Sequence, residues 1–268
     1  MSMDILALPP PTADARIQYG DGQYQFADLR LPDADEPYPL VITIHGGYWR
    51  SRYDLAYLGH ACAALRRGGV ATWNIEYRRI GHSGGGWPGT FGDVALAADY
   101  VRELVNEYPI DRTRVVAMGH SAGGHLACWL ATRHNLPPEN ELYREYPLTL
   151  RGVVALAGVL DLRRAWDLRL SSNATQELLR ETPDEDPARY AAASPIELLP
   201  ARISQTLIHG DDDENVPIEL SRRYAEAALA HGDTVSLIEM PKTGHFEIVD
   251  PRERQWRAVE DAVLALLA

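Results

Sequence analysis

The stretch that most constrains this 268-residue chain is Val115-Val116-Ala117-Met118-Gly119-His120-Ser121-Ala122-Gly123-Gly124. Four apolar residues of strand character run into Gly-x-Ser-x-Gly, and Gly124-His125-Leu126-Ala127-Cys128-Trp129-Leu130 continues as a helix. The flanking glycines remove the Cβ atoms that would collide where strand and helix nearly touch. Ser121 is thereby forced onto a sharp turn with its oxygen projecting from the strand end. Gly-x-Ser-x-Gly alone also occurs in ordinary glycine-rich turns, but strand, turn and helix together mark Ser121 as a candidate nucleophile.

Apolar runs and helical periodicities alternate along the rest of the chain. Strands are expected over residues 23–31 (an edge strand), 39–44, 70–77, 115–118, 152–157, 205–209 and 234–240. Helices are expected over 54–67, 92–108, from Ser121 onward, 219–231 and 252–267, the first stopped by Gly68-Gly69. Such alternation predicts an α/β fold: a mostly parallel central sheet with helices on both faces. The length suits a single domain over 1–268. Residues 1–23, with Pro9-Pro10-Pro11, read as a loosely attached arm. Residues 160–203 break the rhythm with two short helical pieces, around 162–170 and 173–181, and read as a small cap-like helical insertion.

The net charge of −12 argues against nucleic acid, anionic membranes and polyanionic substrates as partners. Cys62 and Cys128 fall in helical segments and read as reduced packing residues. There is no basic start followed by an apolar run, and no stretch approaches the ~20 apolar residues of a membrane span, so the cytoplasm is the expected location. The glycine-rich loop at 84–89 lacks the Gly-Lys-Ser/Thr of a phosphate loop. Nor does it match a dinucleotide fingerprint.

In a parallel sheet the ligand site lies at the carboxyl ends of the strands. His45, Ser121, the acidic turn at Asp211 and the loop at His245 all follow strands, so they share one edge. A serine hydroxyl needs a base within reach and a third group to hold the base's tautomer. Of nine histidines, His60, His125, His134 and His231 sit in helices or at their ends. His45 and His209 read as ties for their own loops, His82 lies in a loop, and His120 is expected to point away into the core. His245 remains as the base. The acid comes from Asp211, Asp212, Asp213 or Glu214. The spacing His209-Gly210-x-x-Asp213-x-x-Val216-Pro217 favours Asp213, with Asp211 and Glu214 as alternates. For the oxyanion, Ala122 supplies one backbone N–H and the loop His45-Gly46-Gly47-Tyr48 supplies others, most plausibly Gly47 and Tyr48, each worth about 3–4 kcal/mol.

With these residues placed, the chain resembles the α/β-hydrolase superfamily over nearly its whole length. His45-Gly46-Gly47-Tyr48-Trp49 is similar to the H-G-G-x-W signature of arylformamidases (kynurenine formamidases) and their esterase relatives. Further likenesses are Glu76-Tyr77-Arg78, Gly86-Trp87-Pro88-Gly89-Thr90 with Asp93, Gly158-Val159-Leu160-Asp161-Leu162 and Ala193-Ser194-Pro195. The resemblance implies a triad of Ser121, Asp213 and His245, no metal and no organic cofactor, with Trp49 and Trp87 as candidate substrate contacts. The expected activity is cleavage of a small-molecule ester or aryl-formamide through an acyl-enzyme, with a homodimer as the candidate assembly. An acyl-peptide hydrolase and a non-catalytic binding protein are the rival readings.

Overall fold

The computed structural model describes residues 5–34 and 36–268. Eight strands form one sheet: β1 (Ala15–Gln18), β2 (Phe26–Arg30), β3 (Tyr38–Ile44), β4 (Ala71–Ile75), β5 (Ile110–His120), β6 (Gly152–Leu156), β7 (Ser204–Gly210) and β8 (Val235–Met240). Their spatial order is β1-β2-β4-β3-β5-β6-β7-β8, with the β1–β2 and β2–β4 pairings antiparallel and the other five parallel. The expected mostly parallel sheet is therefore met. The strand order reverses at β3, which lies between β4 and β5, and this crevice is where ligands of such sheets bind.

Alternation along the strands divides the core in two. On β3, Leu40, Ile42 and Ile44 face one apolar cluster while Val41 faces the other; on β5, Val115 and Ala117 oppose Val116 and Met118. Helices α1 (Gly59–Arg67) and α9 (Trp256–Leu267) cover the smaller cluster through Ala61, Leu65, Val259 and Val263. The larger cluster is covered by α2 (Gly89–Asp99), α3 (Val101–Glu107), α4 (Ala122–Thr132) and α8 (Glu219–Ala230). Helix α4 is buried at every residue, which explains why its sequence is apolar all round rather than striped.

Three expectations are corrected. Residues 1–23 are not a loose arm where described: they contribute β1, Ile5 is fully buried, and Arg30 Nη2 donates to Pro11 O at 2.6 Å. The edge strand on that side is consequently β1, and the segment expected at the edge is inner strand β2. The helix expected over 92–108 is two helices meeting at Tyr100.

The insertion holds three helices rather than two: α5 (Leu162–Asp167), α6 (Ala174–Leu179) and α7 (Pro187–Ala193). Leu162, Leu178, Leu179 and Tyr190 join the larger core cluster, so the insertion is continuous with the domain.

Candidate active site

Ser121 stands between β5 and α4 with φ 59° and ψ −123°, a region that costs a non-glycine residue about 1–3 kcal/mol. The turn is locked by its surroundings. Ser121 N–H donates to Leu156 O on β6 at 2.7 Å, and a Cβ on Gly123 would lie 1.9 Å from Ile44 O on β3. Only glycine lets helix and strand cross this closely. The Ser121 side chain caps nothing, and Ala122 is the first helical residue, with an N–H that no intrahelical carbonyl can reach.

The loop after β3 carries the other expected donors. Gly47, Tyr48 and Trp49 have φ of +107°, +50° and +57°. Among the described residues, the Gly47 and Tyr48 N–H groups donate to no backbone carbonyl. The loop is held from beneath. His45 Nδ1–H donates to Gly46 O at 2.9 Å, its Nε2 lies 3.1 Å from Glu76 Oε1, and its ring stacks on Tyr77 at 4.4 Å. Glu76 also accepts Tyr77 N–H and pairs with Arg79 at 3.1 Å. Burial alone would raise the Glu76 carboxyl, but His45 and Arg79 outweigh it and the pKa falls below its usual value. His45 is thus the loop tie it was expected to be, and Glu76 is its anchor, a role not assigned from sequence.

His245 Nδ1 and Asp213 Oδ2 are 2.6 Å apart, their side chains 5% and 0% exposed. Asp213 Oδ1 accepts the N–H groups of Asn215 and Val216 at 2.8 and 2.9 Å. Burial would raise the Asp213 carboxyl; hydrogen bonds from His209 and His245 reverse this and hold it well below the ordinary carboxylate range. Asp213 therefore stays charged behind the imidazole. The alternates do other work: Asp211 Oδ1 accepts Lys242 N–H at 2.6 Å, and Glu214 is exposed. His209 is tied to Ser221 Oγ and Val216 O, both at 2.8 Å.

Ser121 and His245 line one cavity of about 330 Å³, with Gly47, Tyr48, Tyr53, Tyr57, Phe246 and Leu6 also on its wall. No hydrogen bond joins the Ser121 hydroxyl to His245 among the described residues, and such contacts are often long before substrate binds. His120 is buried, as expected, but it does not point away. Gly46 N–H donates to Tyr57 Oη at 2.7 Å, and Tyr57 Oη lies 2.9 Å from His120 Nδ1. His120 Nε2–H donates to His245 O at 2.9 Å, with the two rings 4.4 Å apart. Because Gly46 can only donate and the His245 carbonyl can only accept, the Tyr57 hydroxyl donates to Nδ1 and His120 is neutral. Burial, then the nearby His245, push its pKa well down, in agreement. One chain of hydrogen bonds therefore ties the loop after β3, the Ser121 turn and the His245 loop together.

The two expected substrate tryptophans are elsewhere. Trp49 is fully buried and its Nε1–H donates to His125 Nδ1 at 3.1 Å. Trp87 packs edge-on against Phe91 and donates to Glu141 Oε1 at 3.0 Å. Neither lines the cavity. Leu6 and Phe246 do, and short apolar residues in irregular segments carry no periodicity that would have singled them out. The described residues hold no cluster of three or more His, Cys, Asp or Glu able to bind a metal ion, and no helix among them is long and apolar enough to cross a membrane.

Residues 27–228 match the BD-FAE family. The chain belongs to that family. Among curated relatives, this BD-FAE chain is 27% identical over 237 residues to esterase LipQ of Mycobacterium tuberculosis, covering 85% of the chain and 56% of LipQ. It is 25% identical over 248 residues to a kynurenine formamidase of Danio rerio, covering 87% of the chain and 75% of that protein. The chain thus spans only about half the length of the mycobacterial relative. Solved structures share its fold. A truncated carbohydrate esterase from gut microbiota superposes with a TM-score of 0.80 at 22% identity, covering 97% of this chain and 99% of that one. A propionate-bound esterase from Thermogutta terrifontis gives 0.74 at 21% identity, covering 96% and 94%. The fold is that of the α/β-hydrolases.

Proposed function

We propose that this chain is a serine hydrolase cleaving a carboxylic ester or an aryl-formamide C–N bond through an acyl-enzyme. The observation that carries the reading is the His245–Asp213 contact of 2.6 Å, which leaves Nε2 of His245 free beside a cavity that Ser121 also lines. In the proposed reaction Ser121 Oγ gives its proton to His245 Nε2 and bonds to the substrate carbonyl carbon. The charge on the carbonyl oxygen is met by the N–H groups of Gly47, Tyr48 and Ala122, which need no reorganisation because the positive-φ loop and the helix start fix them. Asp213, ionised at neutral pH, stabilises the imidazolium. His245 then protonates the departing alkoxide or amine. Water, deprotonated by His245, displaces the acyl group from Ser121 and the hydroxyl is restored.

The relatives named above supply both halves of the substrate description, an ester in one and a formamide in the other. The kcat/KM values for N-formylkynurenine and for 4-nitrophenyl acetate and butyrate separate them. Strong preference for the formamide makes the protein an arylformamidase, and its lack makes it a carboxylesterase. In either case folded Ser121→Ala protein is inactive; turnover surviving that substitution overturns the proposal.

A further inference from the structure

The wall of the cavity is charged opposite to the molecule. The chain has 38 acidic residues against 26 lysines and arginines, yet the described lining includes Arg50 and Arg52 and no aspartate or glutamate. Arg50 is committed. Its guanidinium grips both carboxylate oxygens of Glu177 at 2.8 and 2.9 Å, and the hydroxyl and carbonyl of Ser171 at 2.8 and 2.7 Å. Arg52 is exposed, its guanidinium 5.4 Å from the centre of the Tyr53 ring, and no described carboxylate forms an ion pair with it. The acid nearest in sequence, Asp54, has turned its Oδ1 to the Ala56 N–H at 2.9 Å.

Position gives that cation a meaning. Of the lining residues, Ser121 is only 2% exposed whereas Arg52 is exposed, so the cavity runs from the buried serine toward solvent past this cation. In the hydrolase reading, on which this inference rests, the acyl carbon remains bonded to Ser121 while the leaving group departs first and must pass outward. Four aromatic side chains, Tyr48, Tyr53, Tyr57 and Phe246, are among the described lining. A flat ring fits such a wall, and a guanidinium recognises a carboxylate through two parallel N–H bonds.

We infer that Arg52 is a specificity-determining residue, which pairs with a single carboxylate on the leaving group of an aryl ester or aryl amide. One guanidinium without a carboxylate partner among the described lining residues suits one negative charge. A polyanion is still disfavoured by the field of a molecule carrying −12.

The test compares 4-acetoxybenzoate with its neutral isostere 4-acetoxybenzamide. The ratio of their kcat/KM values is taken in wild type, Arg52→Gln and Arg52→Lys, at low and high salt, so that intrinsic reactivity differences cancel between proteins. The acid-to-amide ratio should drop about tenfold in Arg52→Gln and be partly kept in Arg52→Lys. In wild type the ratio should also decline with added salt, a dependence Arg52→Gln lacks. Equal ratios in wild type and Arg52→Gln, with both esters hydrolysed, overturn the role of Arg52 and leave the hydrolase reading standing. Failure of the wild type to hydrolyse either ester overturns both.

Discussion

Two histidine–carboxylate pairs at the carboxyl edge of this sheet, His45–Glu76 and His245–Asp213, invite comparison, and only the second has the makings of a catalytic pair. His45–Glu76 and His245–Asp213 are both buried, at 3.1 and 2.6 Å, and in both the carboxyl is held below its usual pKa against the pull of burial. They differ in what is left over. Both nitrogens of His45 face acceptors, its ring is stacked on Tyr77, and Glu76 also serves Tyr77 N–H and Arg79. In the His245 pair, Nδ1 is engaged, Nε2 makes no hydrogen bond among the described residues, and His245 lines the cavity. An acid behind a histidine is therefore a common structural tie. What distinguishes a base is an unspent nitrogen where a substrate can reach it.

The sharpest way to break this comparison is to neutralise each acid in turn. Asp213→Asn removes the charge that fixes the imidazole, and kcat per folded molecule should fall about 10³- to 10⁴-fold, far more than its cost in stability explains. Glu76→Gln should do the reverse. It leaves Arg79 buried without its counter-charge, costing about 3–5 kcal/mol of stability by denaturant unfolding, while activity per folded molecule stays within about tenfold. Equal kinetic losses in the two variants would abolish the distinction.

A third class of histidine sharpens it by pH. His125 is buried with its pKa lowered to about 4, and His120 is shifted the same way. Above pH ~6.5 both are neutral whether folded or unfolded and contribute no slope. As pH falls below that, the unfolded chain takes up protons that the folded chain refuses, so stability declines between pH ~6.5 and ~4, by about 3 kcal/mol for His125 alone. Asp213, with its lowered pKa, adds a loss only below the ordinary carboxylate range. Unfolding free energies measured from pH 8 to 4 check this, and a flat profile contradicts it. The smallest effect is expected from Tyr57→Phe. It strips Gly46 N–H of its acceptor and His120 of its donor, for about 1–2 kcal/mol of stability and a several-fold loss in kcat with KM steady.

The candidates Ser121, Asp213 and His245 could be picked out in the chain because each obeys a local rule: a glycine-flanked turn, a fixed spacing after His209-Gly210, a short loop after the last strand. The parallel sheet was legible because buried strands such as β3 are apolar without interruption. Features decided by distant partners were not. Trp49 and Trp87 sit beside glycine motifs and look available, but His125 and Glu141, 76 and 54 residues away, draw them inward. Strand β1 is a four-residue, half-exposed segment near Pro9-Pro10-Pro11, and only its pairing with β2 makes it a strand. Helix α7 did carry a local signal that the expected helical pieces, ending at residue 181, left out: Asp186 caps Arg189 N–H and Pro187 opens the first turn.

The most direct trial of the central claim is the intact mass and peptide map of the protein after exposure to a fluorophosphonate probe. One adduct on Ser121 is expected in wild type, none in Ser121→Ala, and a greatly slowed adduct in folded His245→Gln. A correctly folded wild-type protein that takes up no label, or that carries it on another residue, would contradict the account.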